Sequence, residues 1–316
     1  MNKKLRIVFL GTPEFAVESL DRIHSAGYDI AAVVTMPDKP AGRGHRLLQS
    51  PVKQWAVAHD IKVLQPVSLK DPEFIGELQS LNANLFVVIA FRMLPEVVWR
   101  MPELGTFNLH ASLLPRYRGA APINHAVMNG DKTTGVTTFF LKHEIDTGDI
   151  IAQRSIEIDP DEDAGSVHDR LMHLGADLTL ETLQSIVDGT LHTISQEQLL
   201  TSGEEPTPAP KIFRDTCRID WNRNAADIHN HIRGLAPYPA AWTRITFPGL
   251  CSPVELKVLK AKPASGKHLS TGEISVSDSR LIIGCAGSSA IEILMLKPEG
   301  KRAMSAADFL RGLHLQ

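Results

Sequence analysis

Short apolar runs alternate with stretches of helical period from the start of the chain. Residues 5–10 read as a strand, 13–25 as a helix and 30–34 as a second strand. Further strands are expected at 62–64, 85–90 and 106–109, with helices near 52–59 and 72–80 between them. Such alternation builds a mostly parallel sheet covered on both faces, because each crossover helix packs back onto the strands it joins. Pro13 suits the first turn of its helix, where a missing N–H costs nothing. Residues 121–129 are expected to be helical, and the β-rich runs 135–141 and 149–158 suit an antiparallel edge. Val167, Leu171, Leu174 and Leu178 then fall on one stripe of a long helix that can close the domain.

From Gly189 the pattern fails, and Ser-Gly-Glu-Glu-Pro-Thr-Pro-Ala-Pro at 202–210 reads as an extended, proline-rich linker. The expected division is therefore a first domain at 1–189, a linker at 190–209 and a second domain at 210–316. In the second, a helix near 225–233 precedes strands near 254–259, 272–276, 281–285 and 291–296, which suggest a small β-barrel. Ser305-Ala-Ala-Asp308 has the spacing of a capping box opening a last helix.

Length agrees with two cores, since 316 residues exceed what one core usually organises. No segment approaches the roughly 18 to 20 apolar residues of a membrane span. The apolar run at 5–10 is too short for a secretory signal, so a cytoplasmic location is expected. Cys217, Cys251 and Cys285 are odd in number and widely spaced, which argues against a disulfide framework and makes all three expected core residues. Charge adds an asymmetry. Residues 1–205 carry 18 Lys+Arg against 27 Asp+Glu, or −9, while 206–316 carry 15 against 9, or +6. A basic final third hints at a polyanionic partner.

The first strand ends in Gly11-Thr-Pro, not in a GxGxxG turn, and no GxxxxGK[ST] loop or GxSxG elbow occurs. Dinucleotide binding, P-loop nucleotide hydrolysis and α/β-hydrolase chemistry are thereby disfavoured. Polar chemistry gathers instead at Thr106-Phe-Asn-Leu-His110. Asn108 and His110, two apart, share one face where a strand ends, and the carboxyl ends of parallel strands are where open sheets bind ligands. Asp146 lies in a second turn, Asp-Thr-Gly-Asp149, where Gly148 permits a tight return. Taken singly these are also an amide at a strand end, a turn histidine and a turn carboxylate. Taken together they offer a donor, a proton carrier and an orienting charge, a set suited to attack of an amine on a carbonyl. A metal site from His110, His143 and Asp146 has no supporting ligand spacing.

These residues carry a resemblance. Asn108-Leu-His110, Ser112-Leu-Leu-Pro-Arg-Tyr-Arg-Gly-Ala-Ala-Pro122 and Asp146-Thr-Gly-Asp149 resemble the folate-dependent formyltransferases. Gly11-Thr-Pro-Glu-Phe15, Pro37-Asp-Lys-Pro-Ala-Gly-Arg-Gly44, Ser50-Pro-Val-Lys53, Ile219-Asp-Trp221, Arg233-Gly-Leu-Ala-Pro-Tyr-Pro-Ala-Ala-Trp242 and Lys301-Arg-Ala-Met-Ser305 extend it over nearly the whole chain, toward members that act on initiator tRNA. The resemblance implies a Rossmann-like α/β domain followed by an OB-like β-barrel. It also implies formyl transfer from 10-formyltetrahydrofolate to the amino group of methionyl initiator tRNA, supporting translation initiation. Asn108, His110 and Asp146 match the family's catalytic trio, and Ser112, Leu113, Leu114 and Pro115 its folate segment. The loop at 36–50, with Lys39, Arg43 and Arg46, matches its tRNA loop. The folate is a consumed cosubstrate; no metal and no membrane are implied, and a monomer is expected. Arg92, where glycine is common, and His143-Glu144, where Gly-Leu is common, depart from the pattern beside the expected pterin pocket. Rival readings are transfer to an amino sugar and a non-catalytic RNA-binding protein.

Overall fold

The structure is a computed structural model that describes residues 4–41, 46–200, 205–247, 251–266 and 269–313. The chain forms two compact units. The first takes in 1–119, 135–156 and 168–208, and the second 120–134, 157–167 and 209–316.

In chain order the elements that bear on the first unit are β1 (Arg6–Gly11), α1 (Glu14–Ser25), β2 (Asp29–Val34), β3 (Lys39–Ala41), β4 (Arg46–Leu48), α2 (Pro51–Ala58), β5 (Val63–Leu64), α3 (Pro72–Ser80), β6 (Leu85–Ile89), α4 (Glu96–Trp99), β7 (Thr106–His110) and β8 (Arg118–Gly119). After α5 (Pro122–Met128) come β9 (Thr133–Phe140), β10 (Ile150–Glu157) and α6 (Ala164–Asp188). Seven strands form one sheet in the order β10-β9-β7-β6-β1-β2-β5. The run from β7 to β5 is parallel, and β9 returns antiparallel to β7. Both faces are buried, as a parallel sheet requires. On one face Val8, Leu10, Val34, Phe86 and Val88 pack with Phe74 and Leu78 of α3 and Val98 of α4, while Ile7 and Phe9 of β1 are fully buried as well. Local signals fix the helix starts. Ser50 accepts the Lys53 N–H at 3.1 Å and Pro51 fills the first turn of α2, while Asp71 caps α3 in the same way.

The second unit contains α5, β11 (Pro208–Ala209, of which Ala209 belongs here), α7 (Ala225–Leu235), β12 (Ala241–Ile245), β13 (Val254–Pro263), β14 (Ile274–Ser277), β15 (Arg280–Cys285), β16 (Ser289–Pro298), β17 (Met304–Ser305) and α8 (Ala306–Gly312). The order β12-β13-β16-β15-β14, with β17 on β16, is antiparallel throughout. Ile228 and Ile232 of α7 and Phe309 and Leu310 of α8 close a core with Leu256, Leu281, Ile291 and Leu296. Asn124 of α5 donates to the Gly234 carbonyl at 2.8 Å, and a Cβ at Gly234 would strike Met128, so glycine lets α5 and α7 approach. At α8 the Ser305 hydroxyl accepts the Asp308 N–H at 3.0 Å, the expected cap.

Three expectations need amendment. Cys217 and Cys285 are buried, and burial raises the Cys285 thiol to about 11, but Cys251 is exposed in a bend before β13 that presents no face to the core. Within the expected linker, Ile194 pairs with Ile150 of β10 and residues Gln196–Leu199 form a 3-10 turn. The stretch at 36–50 contains the hairpin β3–β4 rather than loop alone.

Candidate active site

Strand β7 runs between β6 and β9, with Asn108 opposite Val88 and Phe139, and His110 opposite Thr137. Alternation along the strand puts Asn108 and His110 on one face at the carboxyl edge of the parallel sheet. Asn108 is half-buried, and its side chain has no hydrogen-bond partner among the described residues. His110 is buried. Its Nε2 lies 2.8 Å from the Tyr117 carbonyl oxygen, which can only accept, so Nε2 carries the hydrogen. In the neutral ring the lone pair is then on Nδ1, and Nδ1 faces Asp146 Oδ2 at 3.8 Å. Sequence placed these two side chains 36 positions apart, and the fold brings them together.

Asp146 is held in an unusual backbone conformation, φ +55°, in the tight connection between β9 and β10. A Cβ at Gly148 would collide with the Phe140 carbonyl oxygen, which explains the glycine. Oδ2 of Asp146 accepts the Gly119 N–H at 2.9 Å. The Gln196 amide donates from Nε2 to the carbonyls of Asp146 and Gly148, both at 2.8 Å. Arg118 in turn donates through Nε and a terminal nitrogen to Gln196 Oε1, at 3.0 and 2.7 Å. Burial pushes the Arg118 guanidinium below its usual value, against the opposing pull of Asp146, Glu144 and Glu197. Neither Gln196 nor Arg118 was singled out by sequence reasoning. The one signal available for Gln196 was its position two residues after an isolated isoleucine in a polar stretch.

The segment Ser112 to Pro115 is mostly interior. Thr137 Oγ1 donates to the Ser112 carbonyl at 2.6 Å and accepts the Leu114 N–H at 3.2 Å, and Gln153 Nε2 donates to the Leu114 carbonyl at 2.8 Å. Leu114 packs on Phe139 and Ile150, leaving Leu113 the half-buried member. Arg92, the departure from the expected glycine, donates to the carbonyls of Pro66 and Val67, and burial lowers its guanidinium. It ties the 66–67 segment to the end of β6. His143 and Glu144 are exposed. Among the described residues no group of three or more His, Cys, Asp or Glu is placed to hold a metal ion.

The 36–50 stretch is anchored at both roots. Thr35 and Ser50 share a buried hydroxyl hydrogen bond of 2.8 Å, and Lys53 meets Asp38 at 2.6 Å. The Lys53 ammonium and the Gln65 amide hold the Asp38 carboxyl below its ordinary value. Lys39 is exposed on this separate two-stranded sheet. Arg43 and the side chain of Arg46 lie outside the described residues.

A doubly covered parallel sheet whose strand edge presents an amide, a buried imidazole and a carboxylate is the frame of an α/β group-transfer enzyme. Residues 5–183 match the family model described as formyl transferase, and residues 211–314 that of the formyl transferase C-terminal domain. The chain belongs to the formyl transferase family. The protein of Bacteroides fragilis called methionyl-tRNA formyltransferase is 51% identical over 312 residues, covering 98% of this chain and 96% of that one. WlaRD, a sugar 3N-formyl transferase crystallised in the presence of dTDP and 5-N-formyl-THF, shares the fold with TM-score 0.66 and 20% identity, over 95% of this chain and 100% of its own. A variant of HypX from Aquifex aeolicus matches with TM-score 0.64 and 18% identity over 98% of this chain, which spans only 48% of HypX.

Proposed function

We propose that the protein transfers a formyl group from 10-formyltetrahydrofolate to the free amino group of methionyl initiator tRNA, the step that readies it for translation initiation. The observation that carries this reading is the near full-length match to methionyl-tRNA formyltransferase of Bacteroides fragilis, at 51% identity over both domains. Likeness to a sugar formyltransferase at 20% identity speaks to fold alone.

The His110–Asp146 geometry supports a division of labour. An α-amino group ordinarily titrates near ~7.7 to 8.0, so a neutral fraction is present at physiological pH and placement matters more than activation. The amine nitrogen bonds to the formyl carbon while the unpartnered Asn108 amide donates to the formyl oxygen, where negative charge develops. His110 Nδ1, the nitrogen not engaged by Tyr117, takes the amine's proton and returns it to the departing nitrogen of the folate. Asp146 faces the imidazolium formed in between. Ser112 to Pro115, braced by Thr137 and Gln153, shape the wall against the folate. Lys39, Arg43 and Arg46 meet the acceptor end of the tRNA, and the basic second unit supplies phosphate contacts. The division into a catalytic domain at 1–189 and a tRNA-binding domain at 210–316 follows the same reading, with 190–209 a connection that carries the Ile194–Ile150 pairing and a 3-10 turn rather than a free linker throughout. So does a cytoplasmic location; among the described residues no helix is long and apolar enough to cross a membrane.

The test is incubation with 10-formyltetrahydrofolate and either charged initiator tRNA or a nucleotide-linked amino sugar. Formylmethionyl-tRNA is expected; product from the sugar alone overturns the assignment.

A further inference from the structure

We infer that Gln196 is a positioning residue for Asp146, and that Arg118 sets which way its amide points. Asp146 Oδ2 is held by the Gly119 N–H at 2.9 Å, but where the carboxylate starts from is set by the backbone of the Asp146–Gly148 turn. That turn is costly, because Asp146 sits at φ +55°, where a side-chain-bearing residue is disfavoured and aspartate is among the few that tolerate it. Two of the turn's carbonyl oxygens, those of Asp146 and Gly148, converge on one nitrogen, Gln196 Nε2, at 2.8 Å each. A single NH2 group with two hydrogens satisfies both, so the amide closes the turn as a clasp.

The orientation is not free. Arg118 directs two N–H groups at Gln196 Oε1, which fixes the oxygen on the arginine side and leaves the NH2 for the turn. Gln196 is 1% exposed, so a rotated amide would deprive both turn carbonyls of their donor and set its NH2 against the N–H groups of the half-buried Arg118. Gln196 also follows Ile194, whose N–H and carbonyl pair with Ile150 at the start of β10. The 3-10 turn carrying the clasp is thereby attached to the strand that leaves the Asp146 turn. The chemistry requires glutamine at this place: glutamate offers Arg118 a better acceptor but brings no donor to the turn, and an apolar side chain brings neither.

The role rests on the formyl-transfer reading, in which Asp146 acts on His110. Gln196→Met and Gln196→Glu are made in the parent and in an Asp146→Asn background, with Arg118→Lys as a milder third variant. Steady-state and single-turnover formylation of methionyl-tRNA are measured with thermal melting. In the parent background kcat is expected to fall about 10- to 100-fold, the loss that a misplacement of about 1 Å produces, with KM for the folate little changed. In the Asp146→Asn background the same changes should alter the residual rate by no more than about twofold, because the residue they act through is already gone. Gln196→Glu retains the pairing with Arg118 and keeps the test open if Gln196→Met folds poorly. A normal kcat in variants that fold overturns the inference. So does a loss of equal size in both backgrounds, which would mark Gln196 as a general brace. The parent in the same assay separates the two claims: if it formylates no methionyl-tRNA, the functional reading fails and this role with it.

Discussion

Nδ1 of His110 stands 3.8 Å from Oδ2 of Asp146 while the opposite nitrogen donates to the Tyr117 carbonyl. One ring nitrogen is thus committed to the backbone and the other is left for proton traffic beside a carboxylate. The tautomer follows from the fold, because the loop after β7 turns its own carbonyl back onto the ring, with Tyr117 at φ +62° and Gly119 at φ +126° shaping the return.

Removing either polar group from the end of β7 should therefore abolish most turnover without unfolding the sheet. Asn108→Ala is expected to lower kcat by at least about 10² to 10³, the usual cost of losing a donor to the developing oxyanion, and His110→Ala by about 10² to 10⁴, the usual contribution of a positioned proton carrier. Single-turnover formylation with circular dichroism as the folding control makes the check, and near-normal turnover in either variant rejects the assignment.

Two glycines should respond in opposite senses to alanine. At Gly148 a Cβ would overlap the Phe140 carbonyl, so Gly148→Ala must displace backbone and should cost about 1 to 3 kcal/mol or more, together with activity. Gly76 lies exposed within α3 with nothing near its missing Cβ, so Gly76→Ala should stabilise by about 0.4 to 1 kcal/mol and leave kcat alone. Urea unfolding of both variants decides this.

Much of the first unit was legible because its strands are continuous apolar runs and its helices carry local start signals such as Ser50-Pro51 and Asp71-Pro72. Asn108 and His110 were legible for the same reason, as polar residues interrupting a buried strand at its end. The pairing of β3 with β4 was not, since Lys39, Pro40 and Ala41 pair through backbone with Leu48, Leu47 and Arg46 in a stretch whose glycines and charges look like loop. Strand β12 does alternate buried and open positions, but it is short and follows a cluster of prolines. Partner choice was also hidden. Periodicity identified a helix at α5 yet not that its neighbour is α7, about a hundred residues later, where the decisive feature is the missing side chain of Gly234. Gln196 was hidden most completely, because a side-chain amide that clasps a distant turn has no periodicity to betray it.

Salt should weaken binding of tRNA. Lys39 is exposed, and Arg43 and Arg46 belong to the same stretch, so each is expected to neutralise charge on the acceptor end. Replacing one of them by alanine should reduce the slope of log K against log salt by roughly 0.7 for a single-strand contact. Filter binding across a salt series measures it, and an Arg43→Ala protein with the parent slope and turnover removes that residue from the interface.

Acid should loosen the second unit before other chemistry intervenes. Burial holds the imidazoles of His229 and His231 below the usual histidine value; Arg233 lowers His229 further against an opposing Asp161, and Arg223 lowers His231 further while its bond to the Cys217 backbone opposes. Nε2 of His231 is buried without a hydrogen-bond partner among the described residues, so a proton there would have no acceptor among them. Above the unfolded value of about 6.5 both states are neutral and the contribution to stability is complete. As pH falls below it, the unfolded chain takes up protons that the folded chain refuses, and stability declines until the lowered folded values are reached. Urea midpoints of the full chain should therefore drop between pH 7.5 and 5. His231→Gln should flatten that decline by up to one proton's worth of slope, and a slope identical to the parent's would show that His231 is protonated in the fold after all.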